Sequence, residues 1–183
     1  MNTAAIVILS IALVVAIGVS VWLFQTVRRS KALQERFGPE YDKTLAERRS
    51  KREAEAELAA REKRVEKLTL RPLSAEDRAR YLEAWRLRME HFVENPRTAV
   101  TDVDLLVEEV MRARGYPVGD FERQAADVSV DHPNLVENYR AAHAIAQRSR
   151  DGRASTEDLR NAMLHFRALF DDLLEDHPVR ASA

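Results

Sequence analysis

The sequence predicts an all-α protein: an N-terminal transmembrane helix, a charged helical stem and a small antiparallel helical-bundle domain. Three observations predict it. The stretch IVILSIALVVAIGVSVWLFQTV, Ile6 to Val27, contains no charged side chain. From Tyr41 to Leu68 the chain is made of strong helix formers, Ala, Glu, Lys, Arg and Leu among them, with no Gly or Pro. Beyond Arg71, apolar residues recur at steps of three and four, and no run alternates at period two with β-branched residues. The expected divisions are a transmembrane anchor at 1–27, a stem at 28–71, a cytosolic helical domain at 72–178 and a disordered tail at 179–183.

Charge divides the chain the same way. The total is near neutral, 29 basic against 30 acidic residues, which argues against a wholesale nucleic-acid binder. From Met1 to Val27 there is no charged side chain, between Arg28 and Arg71 there are 14 Lys/Arg and 9 Asp/Glu, and beyond Arg71 there are 15 and 21. Neutral, basic and acidic regions therefore follow one another. No cysteine occurs, so disulfides, thiol nucleophiles and Cys-ligated metal sites are excluded.

As a helix, Ile6 to Val27 reaches roughly 33 Å, enough for a hydrocarbon core of about 30 Å. A cleavable signal peptide fits less well. Met1 to Ala5 carry no Lys or Arg, the apolar run exceeds an ordinary h-region, and no Ala-x-Ala pattern precedes the charged flank. Arg28, Arg29 and Lys31 follow the run immediately, so the positive-inside rule puts the N-terminus outside and the body of the protein in the cytoplasm. Trp22 and Phe24 suit the interfacial aromatic belt and, equally, plain lipid-facing positions. Ala12, Ala16, Gly18 and Ser20 offer a small-residue face for helix pairing in a homo-oligomer, although such spacing is also common by chance.

The helix leaving the membrane is expected to break at Phe37-Gly38-Pro39, because Gly is a poor helix interior and Pro39 disfavours a helical residue before it. A hinge near the surface is implied. In the stem helix Ala54, Leu58, Val65 and Leu68 form a stripe, but Arg61 occupies its seam. A solvated spacer, or a helix resting one stripe on a partner, fits this pattern better than a strong coiled coil.

In the domain, Ser74 is expected to cap a helix whose inner stripe is Leu82, Trp85, Met89, Phe92 and Val93. Asn95-Pro96 ends it and starts the next, which buries Val103, Leu106, Val107, Val110 and Met111 and stops at Gly115. A short helix follows at Phe121 to Val128, with Asp120 as its cap. Asp131-His132-Pro133 is read as the start of another, Pro133 standing in its first turn, with an inner face of Leu135, Val136, Tyr139, Ala142, His143 and Ala146. Asp151-Gly152 closes that helix. Ser155 and Thr156 then open the last, striped with Leu159, Ala162, Met163, Phe166, Leu169, Phe170 and Leu173.

The turn-rich segment RGYPVGDFERQAADVSVDHPNLVENYR, Arg114 to Arg140, holds the polar residues most apt to line a binding surface: Tyr116, Asp120, Asp127, Asp131, His132, Asn138 and Tyr139. Turn chemistry and packing account for the same residues, as the corner of a bundle. Catalytic signals are missing. There is no HExxH, no His-x-x-x-His pair, no Gly-x-Ser-x-Gly turn, no P-loop and no GxGxxG. His132 and His143 stand about 16 Å apart along one helix axis, too far for one metal. No catalytic residue, metal or cofactor is therefore assigned. An enzyme built on His91, His132, His143 or His165 with acids is the different-class alternative. Arg148, Arg150 and Arg153 make one local basic corner, but the domain's net acidity opposes phosphate, and nucleic acid is not an expected partner.

The stretches LQERFGPEY, RPLS, RGYPVGDFE, SVDHPNLVENYR and TEDLRNAMLHFRALFDDLL resemble a group of uncharacterised bacterial single-pass membrane-anchored proteins. The likeness covers nearly the whole chain. It implies a bacterial inner-membrane setting and carries no activity or binding residue. The expected function is a noncatalytic adaptor, contacting lipid through its N-terminal helix and a protein partner through its domain.

Overall fold

A computed structural model describes residues 3–175, with side chains from Ile11 onward. The expected tail at 179–183 and the last residues of the domain lie outside the described residues. Eight α-helices and no strand occur among the described residues. They are α1 (Thr3–Phe37), α2 (Pro39–Glu47), α3 (Lys51–Val65), α4 (Ala75–Glu94), α5 (Pro96–Arg114), α6 (Phe121–Val128), α7 (Val136–Arg150) and α8 (Thr156–Leu174).

Among the described residues, α1 is the helix long and apolar enough to cross a membrane. Its side chains from Ile11 to Arg29 are all exposed, so nothing else among the described residues covers them. The helix then runs on without a break through the charged residues to Phe37. Gly38 ends it at φ 46°, a conformation that side chains with a Cβ rarely adopt, and Pro39 opens α2 at a position where its missing N–H costs nothing.

The break falls where the sequence places it, but it is not a loose hinge. Leu33 and Phe37 of α1, Tyr41 of α2, Leu58 and Val65 of α3 and Val130 form a second, small apolar cluster. Residues 28–71 therefore fold back on the domain, and the solvated spacer expected for them does not form. The alternative, a helix resting one stripe on a partner, describes α3: Ala54, Leu58, Arg61 and Val65 are its buried positions, with Ala59. The partner is the rest of the same chain.

The main core lies among α5, α7 and α8. Val103, Leu106, Val107, Val110 and Met111 meet Tyr139, Ala142 and Ala146, and Leu159, Phe166, Leu169, Phe170 and Leu173. These faces of α5 and α8 are the expected ones. Local chemistry sets their ends. Ser155 and Asp158 bond each other's backbone N–H in a capping box at the start of α8, and Gly115 takes φ 99° at the end of α5. A Cβ on Gly115 would stand 2.5 Å from the carbonyl oxygen of Thr69, because the α3–α4 connection is pinned there. Arg71 donates its backbone N–H to the Arg114 carbonyl (3.0 Å) and its Nε to the Ala113 carbonyl (2.8 Å).

The single helix expected from Tyr41 to Leu68 is broken at residues 48–50 into α2 and α3, where Ser50 caps the second piece, and two further expectations need correction. The inner stripe expected for α4 is split in the structure. Tyr81 and Trp85 are buried and Phe92 is half-buried, Trp85 lying 4.6 Å from Phe170 by ring centroids. Leu82, Met89 and Val93 are exposed at 44, 41 and 85 %. The helix carries apolar residues on two adjoining faces, about 100° apart at 3.6 residues per turn, which three- and four-residue spacing does not separate. α7, in turn, starts at Val136 rather than near Pro133. Residues 129–135 form successive turns, with His132 N–H donating to the Val128 carbonyl (2.9 Å). Val130 is engaged with the α1–α3 cluster and His132 with α8, so tertiary contacts hold this segment out of the helix.

Candidate functional site

The seven residues expected to form one surface separate into several settings. Tyr116, Asp131 and His132 come together. The Tyr116 hydroxyl donates to Asp131 Oδ2 (3.0 Å) and lies 3.4 Å from His132 Nε2. His132 Nδ1 bonds the Asp172 carboxylate of α8, a partner that sequence reading missed. Tyr116 and His132 are buried. Burial, then the charge and hydrogen bond of Asp131, push the Tyr116 phenol well above its ordinary range. Fully protonated at physiological pH, it acts as a donor and not as a base.

The other four stand apart. Asp120 caps α6, accepting from Arg123 N–H (3.3 Å). Asp127 is buried and takes two bonds from Arg64 of α3, at 3.0 and 2.7 Å. Asn138 is half-buried on α7. Tyr139 is a core residue, 5.1 Å from the Phe121 ring and 6.3 Å from Phe166. Its buried hydroxyl has no hydrogen-bond partner among the described residues, and burial, with Asp104 nearby, raises its pKa.

The Arg114 to Arg140 segment has a larger role as the receiver of the chain's own stem. Glu40 of α2 is 1 % exposed and meets two guanidinium groups, Arg61 of α3 at 2.7 Å and Arg140 of α7 at 2.7 Å. Arg61 also reaches Glu57 (2.5 Å), and Lys43 reaches Glu137 (2.7 Å). Burial by itself would raise the Glu40 carboxyl, but the hydrogen bonds and charges of Arg140 and Arg61 outweigh it and hold it below the usual carboxylate range. In the sequence Arg61 interrupts an apolar stripe. A charge in a buried seam requires a buried counter-charge, and that was the available signal; which acid supplies it was not visible.

Among the described residues, His132 and His143 have separate partners. His132 pairs with Asp172, whereas His143 pairs with Asp104 at 3.0 Å and stacks on Phe121 at 3.7 Å. No group of three or more His, Asp or Glu residues among the described residues is placed to hold a metal. The basic corner is internally paired: Arg148 with Asp158 (3.4 Å), Arg150 with Asp104 (3.0 Å) and Arg153 with Asp151. Beside it lies an open depression of about 270 Å³ lined by Arg97, Thr98, Thr101, Asp102, Ser149 and Arg150.

What the described surface does present is the second apolar face of α4. Ala75, Ala79, Leu82, Arg86, Met89 and Val93 follow one another at alternating steps of four and three, and all are exposed. Arg86 is flanked by Glu83 (2.6 Å) and Glu90, which neutralise it on the helix surface. Such a heptad-like stripe is the pattern with which one helix receives another. No known family model, curated protein or solved structure matches the chain.

Proposed function

We propose that this chain is a noncatalytic, single-pass membrane-anchored interaction module, in which the exposed stripe of α4 receives an apolar helix of a protein partner. That stripe carries the reading. Leu82, Met89 and Val93 remain 41–85 % exposed although the core of the same domain is closed, and apolar surface arranged in register marks a contact face. The bare α1 is the anchor. Arg28, Arg29 and Lys31 at its end set the topology, with the N-terminus outside the bacterial inner membrane and the helical domain in the cytoplasm.

Co-purification from detergent-solubilised membranes tests the reading. The full chain is expected to enrich a protein that the Leu82→Glu/Met89→Glu variant loses, whereas His132→Gln retains it. Equal capture by the wild type and the α4 variant sinks the role of the stripe. A reporter fused after Ala183 is expected to be active only on the cytoplasmic side.

A further inference from the structure

We infer that the α2–α3 turn, Arg48 to Arg52, is folded back onto the membrane surface, where with Arg28, Arg29 and Lys31 it forms a basic collar that binds anionic lipid headgroups. The inference rests on α1 spanning a bilayer.

Geometry places the turn. Ser30 of α1 and Glu55 of α3 share the Tyr41 hydroxyl, at 3.5 and 2.9 Å. Arg36 of α1 meets Glu62 of α3 at 2.8 Å. Six residues further along α1 are thus matched by seven along α3, so the two helices run in the same direction. α2 connects them in the reverse direction, Glu40 facing Arg61 while Arg48 meets Glu57. Lys51 lies four residues before Glu55, about 6 Å towards the N-terminal end of α1 at 1.5 Å per residue. That is the level of Thr26 to Arg28, where the apolar run ends. The chain leaves the bilayer, turns at Gly38, and returns to the bilayer surface at the sequence Arg48-Arg49-Ser50-Lys51-Arg52.

Charge supports the occupant. All seven cations are exposed. Arg48 pairs with Glu57 and Lys51 with Glu55 (3.6 Å), and Arg28 lies over the Phe24 ring. Arg29, Lys31, Arg49 and Arg52 have no ion-pair partner among the described residues. The exposed acids of the turn are Glu47 and Glu53, which leave it net positive. A polybasic surface held at headgroup level attracts anionic lipid.

The test uses the full chain in phosphatidylcholine bilayers containing trace spin-labelled phosphatidylglycerol or phosphatidylcholine, read by electron paramagnetic resonance. The motionally restricted lipid is expected to favour phosphatidylglycerol. Each surface cation contributes up to about fivefold, or ~1 kcal/mol, so Arg49→Glu/Arg52→Glu should lower the selectivity severalfold and Arg49→Gln/Arg52→Gln should lower it less. Lys63→Glu/Lys67→Glu changes net charge equally, but Lys63 lies about 18 Å further along α3, beyond the ~10 Å screening length, and should leave selectivity unchanged. Selectivity retained in both variants of the turn, or lost equally in the Lys63/Lys67 variant, overturns the collar while leaving the anchor intact. Absence of any restricted lipid overturns the anchor and the collar with it.

Discussion

The juxtamembrane hairpin, made of the end of α1 with α2 and α3, and the bundle of α5, α7 and α8 are both helical, yet they cohere for different reasons. The bundle buries a broad apolar core in which Phe166, Leu169, Phe170 and Leu173 are fully covered. The hairpin places only five residues in its apolar cluster, which Val130 completes, and it is tied to the rest of the domain by ion pairs: Glu40, already paired with Arg61, with Arg140 of α7, Lys43 with Glu137 of α7, and Arg64 with Asp127 of α6. Apolar packing is insensitive to pH and tolerant of partner identity, whereas a buried ion pair is sensitive to both. One chain thus joins a self-sufficient domain to an attachment that depends on specific charges.

The largest expected effect is in the bundle. Phe166→Ala should cost about 3–5 kcal/mol, lower the thermal midpoint and unfold hairpin and bundle together. If only α2 and α3 lose amide-exchange protection, the ranking of the two regions is reversed.

Glu40→Ala removes the buried acid that Arg61 and Arg140 share and leaves them only Glu57 and Glu137 at the edge of the site; breaking a buried pair costs up to about 3–5 kcal/mol. The loss should be confined to the hairpin, as exchange in α2 and α3 with α5, α7 and α8 still protected. Replacing all three, Glu40→Leu with Arg61→Met and Arg140→Met, is expected to restore protection, since a matched apolar set avoids desolvating charge.

Acid provides a milder version. The folded pKa of Glu40 lies below its unfolded value, about 4.3. Its contribution is therefore complete above that pH and lost as pH falls through the lower folded value. Hydrogen exchange across a descending pH series should show α2 and α3 opening before α5, α7 and α8. Simultaneous opening would place the attachment elsewhere.

The smallest effects compare two caps. Ser155 has the reciprocal box with Asp158, while Ser50 of α3 only accepts from Glu53 N–H at 3.2 Å. Ser155→Ala should cost about 1 kcal/mol and Ser50→Ala less, measured by chemical denaturation. A larger loss at Ser50 would show that the α2–α3 turn matters more to stability than its one bond indicates.

Of the candidate site, the sequence revealed members but not groupings. Asp120 is legible as a cap because it acts on a residue three positions away. Tyr116, Asp131 and His132 sit within one turn-rich segment and could be associated. Asp172 is 40 residues from His132, and Glu40 is 100 residues from Arg140, and no local pattern links such pairs. Arg61 was the partial exception, since its place in an apolar stripe signals a buried partner without naming it.

The sequence by itself determined the helix order in outline, with α2 and α3 read as one helix from Tyr41 to Leu68, the breaks at Gly38-Pro39, Asn95-Pro96 and Gly115, the caps at Ser74, Asp120 and Ser155, and the buried faces of α5 and α8. Each depends on residues within about a turn of one another, where backbone sterics and hydrogen bonding act directly. Only the tertiary structure decided that the stem folds back, that α4 turns one of its two apolar faces outward, and that α7 begins late. Those outcomes depend on which surfaces meet across the chain, and a helix carrying two adjoining apolar faces, or a charge in its seam, is compatible with more than one partner until the fold selects it.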